Sequence, residues 1–299
     1  MHLVVDQRSA VGMKITNSDK PQQFIKEGFY LFENILEPEI LTELRLISDK
    51  VLSQQEEVHF EQQRTTGSMV MIDWEMIYEY NGLTELIAYP KMLAASAELG
   101  FDEPKFGHGR IIRKPSHSPP LFWHEDGRFW DDPVSYTSQP IQCFLMYYLT
   151  DTNIENGCLR VIPGSHLKRH PLHDRVSPHH TDELRRFTNP DDIAFQCAEG
   201  EIDVPVKAGD LVMGYGTLFH AAHANQTNQS RTVLTMWYYP DFVDLPECTQ
   251  ATVAYLETYN QLTTMTRKRK PASLEPLRIV YTGDAEPIKQ QWTPGQNLR

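Results

Sequence analysis

The chain has 299 residues, of which 40% are hydrophobic and 23% are charged, as is usual for a globular protein with a sizeable core. Its formal net charge of −12 argues against a partner held by bulk electrostatic attraction, such as nucleic acid or an anionic membrane surface. No stretch approaches the roughly 18 to 20 apolar residues of a membrane helix, so we expect neither a nucleic-acid partner nor membrane insertion.

The cysteines lie far apart in the sequence and form no CxxC pair; they are Cys143, Cys158, Cys197 and Cys248. This spacing indicates neither a disulfide framework nor a structural zinc motif. The N-terminal residues also lack the basic and apolar regions of a secretory signal. The simplest prediction is therefore a reducing, cytoplasmic location.

Residues 1–100 are predicted to be mainly helical. A short helix from Pro21 and a strand through Phe29–Phe32 are expected first. Apolar residues at approximately helical spacing then predict a helix that begins at Pro38, and a further helix is expected over residues 83–99.

After residue 100 the sequence changes to short segments that are rich in β-branched and aromatic residues. Six of them are predicted to be strands: 106–115, 140–149, 158–163, 202–206, 209–216 and 231–240. Strands at this spacing are typical of a β-sandwich or β-barrel. Long insertions at about 115–139 and 164–200 are candidates for binding or lid segments. A last helix is expected over residues 249–262.

The stretch FWHEDGRFW, residues 122–130, places a histidine and two acids among aromatic rings. Residues i and i+2 of a strand point to the same side. His124 and Asp126 are therefore expected to face one way, and Glu125 to face the solvent. One imidazole and one carboxylate that converge make two-thirds of a metal-binding triad, although H-x-D alone also occurs by chance.

The remaining members of such a site are expected in GDLVMGYGTLFHAAHANQTNQSRTVL, residues 209–234. His220 ends an apolar strand and Arg231 begins the next one, so a hairpin can bring the two together. Two histidines and one carboxylate are the ligand set of non-haem Fe(II) that activates oxygen. An arginine nearby suits a carboxylated co-substrate, because guanidinium grips carboxylate with two parallel hydrogen bonds.

Four segments resemble, in the same order, the phytanoyl-CoA dioxygenase-like group of Fe(II)/2-oxoglutarate oxygenases: FIKEGFYLFENILEPEILTELR, WHED, LTDTNIENGCLRVIPGSH and GDLVMGYGTLFHAAHANQTNQSR. The resemblance covers about residues 22–240, and its specific parts are ENGCL-x-x-IPGSH and H-x5-N-x5-R. It implies a double-stranded β-helix (jelly-roll) core, mainly β, with flanking helices. We therefore predict one domain over residues 1–299, with the jelly-roll core at 101–240 and a C-terminal helix and tail at 241–299.

The resemblance also implies roles for individual residues. Three residues would bind Fe(II): His124, Asp126 and His220. Arg231 would bind the C5 carboxylate of 2-oxoglutarate. The family pattern places a further basic residue on the strand before the H-x-D loop, which would be Arg113, with Arg110 as the alternative.

Two positions beside the expected 2-oxoglutarate site depart from the family pattern. Many members have a small hydroxyl residue two positions after the distal histidine, where this chain has Ala222. Many also have an aromatic residue near Met146. Asp126 is intact, which argues against halogenation, because halogenating members replace this ligand with a small residue.

Several histidines have alternative interpretations. His223 competes with His220 as the distal metal ligand, but Asn225 and Arg231 lie at the expected offsets from His220. Five further histidines lie in the 164–200 insertion, where a solvated lid is a simpler interpretation than a second metal site. They are His166, His170, His173, His179 and His180.

The aromatic residues around the H-x-D motif belong either to the core or to a substrate pocket. We predict a pocket lined by five residues: Trp123, Phe129, Trp130, Met71 and His223.

The sequence therefore predicts an Fe(II)/2-oxoglutarate-dependent dioxygenase that uses O₂, with ascorbate as a candidate reductant. It would hydroxylate an unactivated C–H bond of a small, moderately apolar molecule and release succinate and CO₂. An acyl-CoA substrate, desaturation and ring closure stay open as alternatives within this class. Two other classes also stay open: a non-catalytic binding protein, and a Zn- or Mn-dependent hydrolase or isomerase on a cupin-like barrel, which leaves Arg231 unexplained.

Overall fold

The computed structural model describes residues 19–54, 68–73, 80–177, 181–259 and 272–299. Several features of the sequence lie outside these ranges: most of the polar N-terminal lead-in, the basic run at 267–270, His179 and His180. Among the helices in the described ranges, none combines the length and apolar character that crossing a bilayer requires. The cytoplasmic location and the single-domain organisation stay predictions.

The described residues form ten strands and six α-helices. The strands are β1 (Phe29–Phe32), β2 (Val70–Asp73), β3 (Lys105–Lys114), β4 (Leu121–His124), β5 (Cys143–Tyr148), β6 (Leu159–Val161), β7 (Ile202–Val204), β8 (Leu211–Tyr215), β9 (His220–Ala222) and β10 (Arg231–Tyr239). The α-helices are α1 (Lys20–Glu27), α2 (Pro38–Ser53), α3 (Asn81–Ile87), α4 (Pro90–Glu98), α5 (Asp182–Arg185) and α6 (Glu247–Tyr259). Short 3₁₀ helices lie at Pro133–Tyr136, Pro171–Asp174, Ile193–Phe195, Phe242–Asp244 and Ala272–Leu277.

The strands form two antiparallel sheets. The major sheet has the order β1-β8-β5-β10-β3-β2, and the minor sheet has the order β4-β9-β6-β7. Strands β1 and β2 come from the N-terminal part that was predicted to be mainly helical, and they form the two edges of the major sheet. The N-terminal part is therefore built into the β core as well as packed beside it.

Strand β10 lies inside the major sheet between β3 and β5, and all of its residues are buried. Alternate residues of one face line a cavity between the two sheets; they are Arg231, Val233, Thr235 and Trp237. On the other face, Leu234 and Met236 belong to the main hydrophobic core. The Tyr238 hydroxyl donates a hydrogen bond to the Ile87 carbonyl of α3 (2.7 Å). One face of β10 thus lines the cavity, and the other face packs in the core and connects the sheet to the helices.

The helix predicted over residues 83–99 is in fact two helices, α3 and α4. Proline lacks the N–H that a continuing helix would use, and it disfavours helical backbone angles at the residue before it. Tyr89 accordingly has extended angles (φ −62°, ψ 121°), and Pro90 begins α4. Strand β2 was not predicted, because its four residues are stabilised by pairing with the distant strand β3.

His166 is buried (1% exposed), which corrects the prediction that it belongs to a solvated lid. Its Nε2 lies 2.9 Å from the Ile25 carbonyl oxygen, so Nε2 carries a proton and donates it. The ring packs against Tyr215, with the centroids 4.2 Å apart. Burial lowers the pKa of His166 to about 4. The insertion that follows the PGSH motif therefore begins inside the core.

We predict that the protein loses stability in mild acid through His166. The unfolded chain takes up a proton near pH ~6.5, whereas the folded chain does not until about pH 4, so the free energy of unfolding falls between these values. From about pH 7 to about pH 5 this histidine alone should cost roughly 2 kcal/mol. Urea titrations at the two pH values measure the loss.

The His166→Leu variant should show a smaller pH-dependent loss than the wild type, whatever its absolute stability. The His117→Asn variant is the matched control, because His117 is exposed and its positive φ of 52° suits asparagine. Equal pH dependence in the wild type and His166→Leu would contradict the prediction.

Candidate active site

The loop after β4 carries the H-x-D motif and is fixed to the turn after β8. The backbone N–H groups of Asp126 and Gly127 both donate to the Gly216 carbonyl, at 2.8 and 2.7 Å. A Cβ on Gly127 would lie 2.5 Å from Cγ2 of Thr217, so the close approach of the two segments requires glycine. These contacts hold Asp126 beside the end of strand β4.

Three predicted metal ligands converge where β4 pairs with β9. His124 is the register partner of His220, and the centroids of their rings are 4.1 Å apart. Asp126 Oδ1 lies 3.8 Å from His124 Nε2, and Asp126 Oδ2 lies 3.8 Å from His220 Nε2. All three ligand atoms lie within 4.8 Å of one another, close enough to hold one metal ion.

Both imidazole rings are oriented by backbone carbonyl groups. His124 Nδ1 lies 2.9 Å from the Phe122 oxygen, and His220 Nδ1 lies 3.0 Å from the Leu218 oxygen. A carbonyl oxygen can only accept, so each Nδ1 carries a proton and Nε2 is the nitrogen atom that each ring can offer to a metal. A hydrogen bond of this kind fixes the tautomer and orientation of a metal-binding histidine.

Trp237 orients the carboxylate of Asp126 and was missed by sequence reasoning. Its indole N–H donates to Asp126 Oδ2 at 2.7 Å. The Trp237 ring stacks on His108, with the centroids 4.5 Å apart. The signal was present in the sequence, because Trp237 lies an even number of residues after Arg231 on one predicted strand and therefore shares its face.

A cavity of about 280 Å³ between the sheets contains the three predicted ligands. Most of its wall is apolar: Met69, Met71, Ile112, Pro120, Leu121, Phe122, Met146, Leu159, Leu184 and Val233. Polar side chains on the wall include Arg110, Tyr148, Asp182, Arg185, Arg231 and Thr235. A mostly apolar cavity with a few polar groups is typical of a small-molecule site.

Arg231, on the cavity wall, has a second buried basic side chain beside it, that of Lys114. Arg231 and Lys114 are direct partners across β10 and β3, and they are 3% and 0% exposed. Burial lowers the pKa of Arg231, and burial and Arg231 together hold the pKa of Lys114 well below its usual range. Among the described residues no acid pairs with either side chain. Lys114 Nζ donates to the Pro119 carbonyl at 2.6 Å, whereas Arg231 Nε has no hydrogen-bond partner. Since a buried charge is costly unless paired, the part of the cavity beside Arg231 is suited to an anion.

The residues predicted to bind the co-substrate divide into two groups. Arg231, Met146 and Ala222 line the cavity, as does the alternative residue Arg110. Arg113 does not, which corrects the first choice between the two arginines of β3.

The alternation of β3 explains this outcome. Ile112 faces the cavity, so Arg113 faces the opposite side of the sheet. There its Nε donates to Thr232 Oγ1 at 3.2 Å, and its guanidinium pairs with Asp49 of α2.

Two of the predicted pocket residues lie behind the minor sheet. Trp123 is completely buried, donates its indole N–H to the Gln196 carbonyl (2.9 Å), and lies under the Arg160 guanidinium. His223 forms a 2.6 Å contact between its Nε2 and Asp203 Oδ1. Neither residue lines the 280 Å³ cavity, although their sequence neighbours Phe122, His124 and Ala222 do.

Of the other three, one lines the cavity and two do not. Met71 of β2 is on the wall. Phe129 belongs to a separate core cluster with Tyr239. Trp130 is 1% exposed and packs against Tyr136, with the centroids 5.3 Å apart. The two loop rings are therefore core residues that brace the H-x-D loop.

Glu125 is buried rather than solvated, contrary to expectation. Its side chain is 8% exposed, and Oε1 lies 3.6 Å from Nε2 of the buried His173. Burial raises the pKa of the Glu125 carboxyl. His173 belongs to the 3₁₀ helix Pro171–Asp174, so the 164–200 insertion packs directly on the H-x-D loop.

A C-terminal segment, residues 291–295, also packs on this loop. The Gln291 N–H donates to the Arg128 carbonyl (3.0 Å), and the Trp130 N–H donates to the Gln291 carbonyl (3.1 Å). The Arg128 guanidinium lies over the Trp292 ring, 5.3 Å from its centroid. The loop that carries Asp126 is thus held between the minor sheet and the C-terminal segment.

A family model described as "Phytanoyl-CoA dioxygenase (PhyH)" matches residues 24–233, well over half of the chain. "Ectoine dioxygenase" of Bordetella bronchiseptica is 25% identical over 236 residues, which cover 74% of this chain and 75% of that protein. "Phytanoyl-CoA dioxygenase 1" of Oryza sativa subsp. japonica is 31% identical over 135 residues, covering 42% of this chain. The matched part spans 41% of the rice protein, less than half of its length.

Among solved structures, the epimerase SnoN in complex with Fe³⁺, alpha ketoglutarate and nogalamycin RO aligns with a TM-score of 0.56 and 17% identity. The alignment covers 94% of this chain and 96% of that chain. At this identity the likeness concerns the fold, and it confirms the predicted jelly-roll core with flanking helices.

The family match confirms the predicted family and enzyme class. The predicted cofactors Fe(II) and 2-oxoglutarate, with O₂, are those of this class, whereas ascorbate stays a prediction. The chain therefore belongs to the phytanoyl-CoA dioxygenase family of non-haem Fe(II)/2-oxoglutarate-dependent dioxygenases.

Proposed function

We propose that this protein hydroxylates an unactivated C–H bond of a small, moderately apolar organic molecule, using Fe(II), 2-oxoglutarate and O₂ and releasing succinate and CO₂. One observation carries the proposal. A triad of two imidazoles and a carboxylate shares a largely apolar cavity with a buried guanidinium that has no acidic partner among the described residues.

The donor set suits Fe(II). His124, Asp126 and His220 offer two nitrogen atoms and one carboxylate on one side, which is the facial arrangement of non-haem Fe(II) oxygenases. The Phe122 and Leu218 carbonyls would keep both Nε2 lone pairs directed at the ion. Iron bound there would supply the oxygen-activating chemistry, while the protein supplies position and dryness.

Arg231 would grip the C5 carboxylate of 2-oxoglutarate. Its guanidinium offers paired donors to a carboxylate, and the anion would compensate the buried charge of Arg231. Tyr148 lines the same cavity, and its charge interaction with Arg231 shows that the two side chains are close. Burial raises the pKa of Tyr148 to about 12, so its hydroxyl stays a donor. We assign Tyr148 the hydroxyl contact that Ala222 cannot make.

The substrate would occupy the part of the cavity beyond the triad. Its wall contains Met69, Met71 and Leu184, which favour an apolar body and exclude water. The buried Thr235 hydroxyl faces this space without a hydrogen-bond partner, and could donate to a polar group of the substrate. A free small molecule suits these walls. An acyl-CoA, desaturation and ring closure stay as alternatives for the same site.

The Arg231→Ala variant should bind 2-oxoglutarate on the order of 30-fold more weakly or worse, because a buried ion pair worth ~2 kcal/mol or more is lost. Anaerobic titration of the Fe(II)-loaded protein with 2-oxoglutarate, followed by its visible charge-transfer band, measures this affinity. Arg113→Ala is the matched control, since Arg113 lies on the other side of the sheet. No band in the wild type, or equal affinities in all three proteins, would sink the proposal.

The Trp237→Phe variant should bind Fe(II) roughly 10- to 100-fold more weakly, because Asp126 loses the donor that orients its carboxylate. Anaerobic competition with a chromophoric chelator measures the affinity. Trp123→Phe is the control, because it removes another buried indole N–H, which donates to the Gln196 carbonyl instead. Unchanged Fe(II) affinity in Trp237→Phe, with the fold intact, would show that Trp237 does not position the ligand.

A further inference from the structure

A second group of possible metal ligands lies at the open end of the minor sheet. Cys158 immediately precedes β6, Asp203 lies within β7, and His223 immediately follows β9. The three strands are hydrogen-bonded neighbours, and the His223 N–H donates to the Cys158 carbonyl at 3.1 Å. The backbone therefore brings together three side chains that are distant in the sequence.

None of these side chains lines the cavity of the first site. Leu159 and Ala222, next to Cys158 and His223 in the sequence, are register partners on β6 and β9, and both line that cavity. The second cluster is therefore outside the cavity wall, although Cys158 lies close enough to Arg231 for their charges to interact.

The ligand atoms of the cluster all lie within 4.8 Å of one another. The closest two, His223 Nε2 and Asp203 Oδ1, are 2.6 Å apart. Cys158 is completely buried, whereas the side chains of His223 and Asp203 are 24% and 35% exposed. The cluster thus has a soft sulfur atom at its floor and is open to solvent above it.

We infer that Cys158, Asp203 and His223 form a second metal site that binds Zn²⁺ or a similar borderline-soft divalent cation. Thiolate, imidazole and carboxylate are the usual zinc ligands, at about 2.0 to 2.3 Å from the ion. Tetrahedral geometry then spaces the ligand atoms roughly 3.3 to 3.8 Å apart, which the cluster reaches by shifts of about 1 Å. Water occupies the fourth position on the exposed side.

Metal binding at this site includes the release of a proton. Burial, aided by Asp203, raises the pKa of Cys158 to about 12, against the opposing effect of Arg231 and Arg160. When the sulfur bonds to the ion, its proton leaves to solvent, with no change in oxidation state.

The site would join three strands of the minor sheet. His223 follows strand β9, which begins with the first-site residue His220, so a metal at the second site tethers that strand to β6 and β7. Occupancy should raise the thermal stability of the protein, because the cation binds the folded state only. The inference does not depend on the proposed oxygenase activity.

Cobalt(II) tests the site directly in the full-length, chelator-treated protein. A cysteine ligand gives Co²⁺ an intense near-ultraviolet sulfur-to-metal charge-transfer band, whereas the nitrogen and oxygen ligands of the first site cannot. We expect this band in the wild type, its displacement by Zn²⁺, and its loss in Cys158→Ser. Cys197→Ser is the control, since Cys197 is an exposed cysteine outside the cluster and its loss should leave the band unchanged.

His223→Gln keeps the buried thiol in place and tests the site even if Cys158→Ser does not fold. It should weaken Co²⁺ binding, read from the same band, by roughly tenfold or more. The inference is overturned if the wild type gives no thiolate band, if the band persists in folded Cys158→Ser, or if His223→Gln binds Co²⁺ as tightly as the wild type. Any of these results would leave Asp203 and His223 as a surface ion pair only.

Discussion

The burial of strand β10 on both faces is the constraint on which the structure depends. The strand has β3 on one side and β5 on the other, so its backbone hydrogen bonds are made within the sheet and its side chains must satisfy two environments. The outward residues are apolar or, like Tyr238, bond to a helix carbonyl. The inward residues bring Arg231 and Trp237 into the cavity, where Trp237 donates to Asp126 and Arg231 has no acidic partner among the described residues.

The charged groups on its wall, as well as its shape, determine which ligands the cavity can bind. Asp126 receives the Trp237 indole N–H and lies between two imidazole nitrogen atoms, an environment that a divalent cation would complete. The buried Arg231 guanidinium has no acidic partner among the described residues, so an anion would compensate its charge. A cation at the triad and a dicarboxylate reaching to Arg231 would balance both charges, which accounts for polar groups within apolar walls.

Much of the fold was predictable from the sequence, because the strands after residue 100 alternate or are continuously apolar and end at turn residues. The break between the two helices at Pro90 was also predictable, from the backbone restrictions of proline, and was overlooked. The choice between Arg110 and Arg113 was not predictable, because it depends on which face of β3 is turned toward the cavity. Glu125 was placed in solvent because the segments that cover it are distant in the chain. Cys158 and His223 are close in space but distant in the sequence, so no spacing motif predicts that they meet.

The packing of residues 291–295 on the H-x-D loop has a consequence for the order of folding. The backbone of Gln291 bonds to residues on either side of Phe129, within the loop that carries Asp126. During synthesis, β4 and β9 can pair long before Gln291 leaves the ribosome, since a chain emerges from its N-terminus. The loop therefore gains its last backbone hydrogen bonds late. In a nascent chain, His124 and His220 should be paired across β4 and β9 before the position of the Asp126 carboxylate is fully fixed.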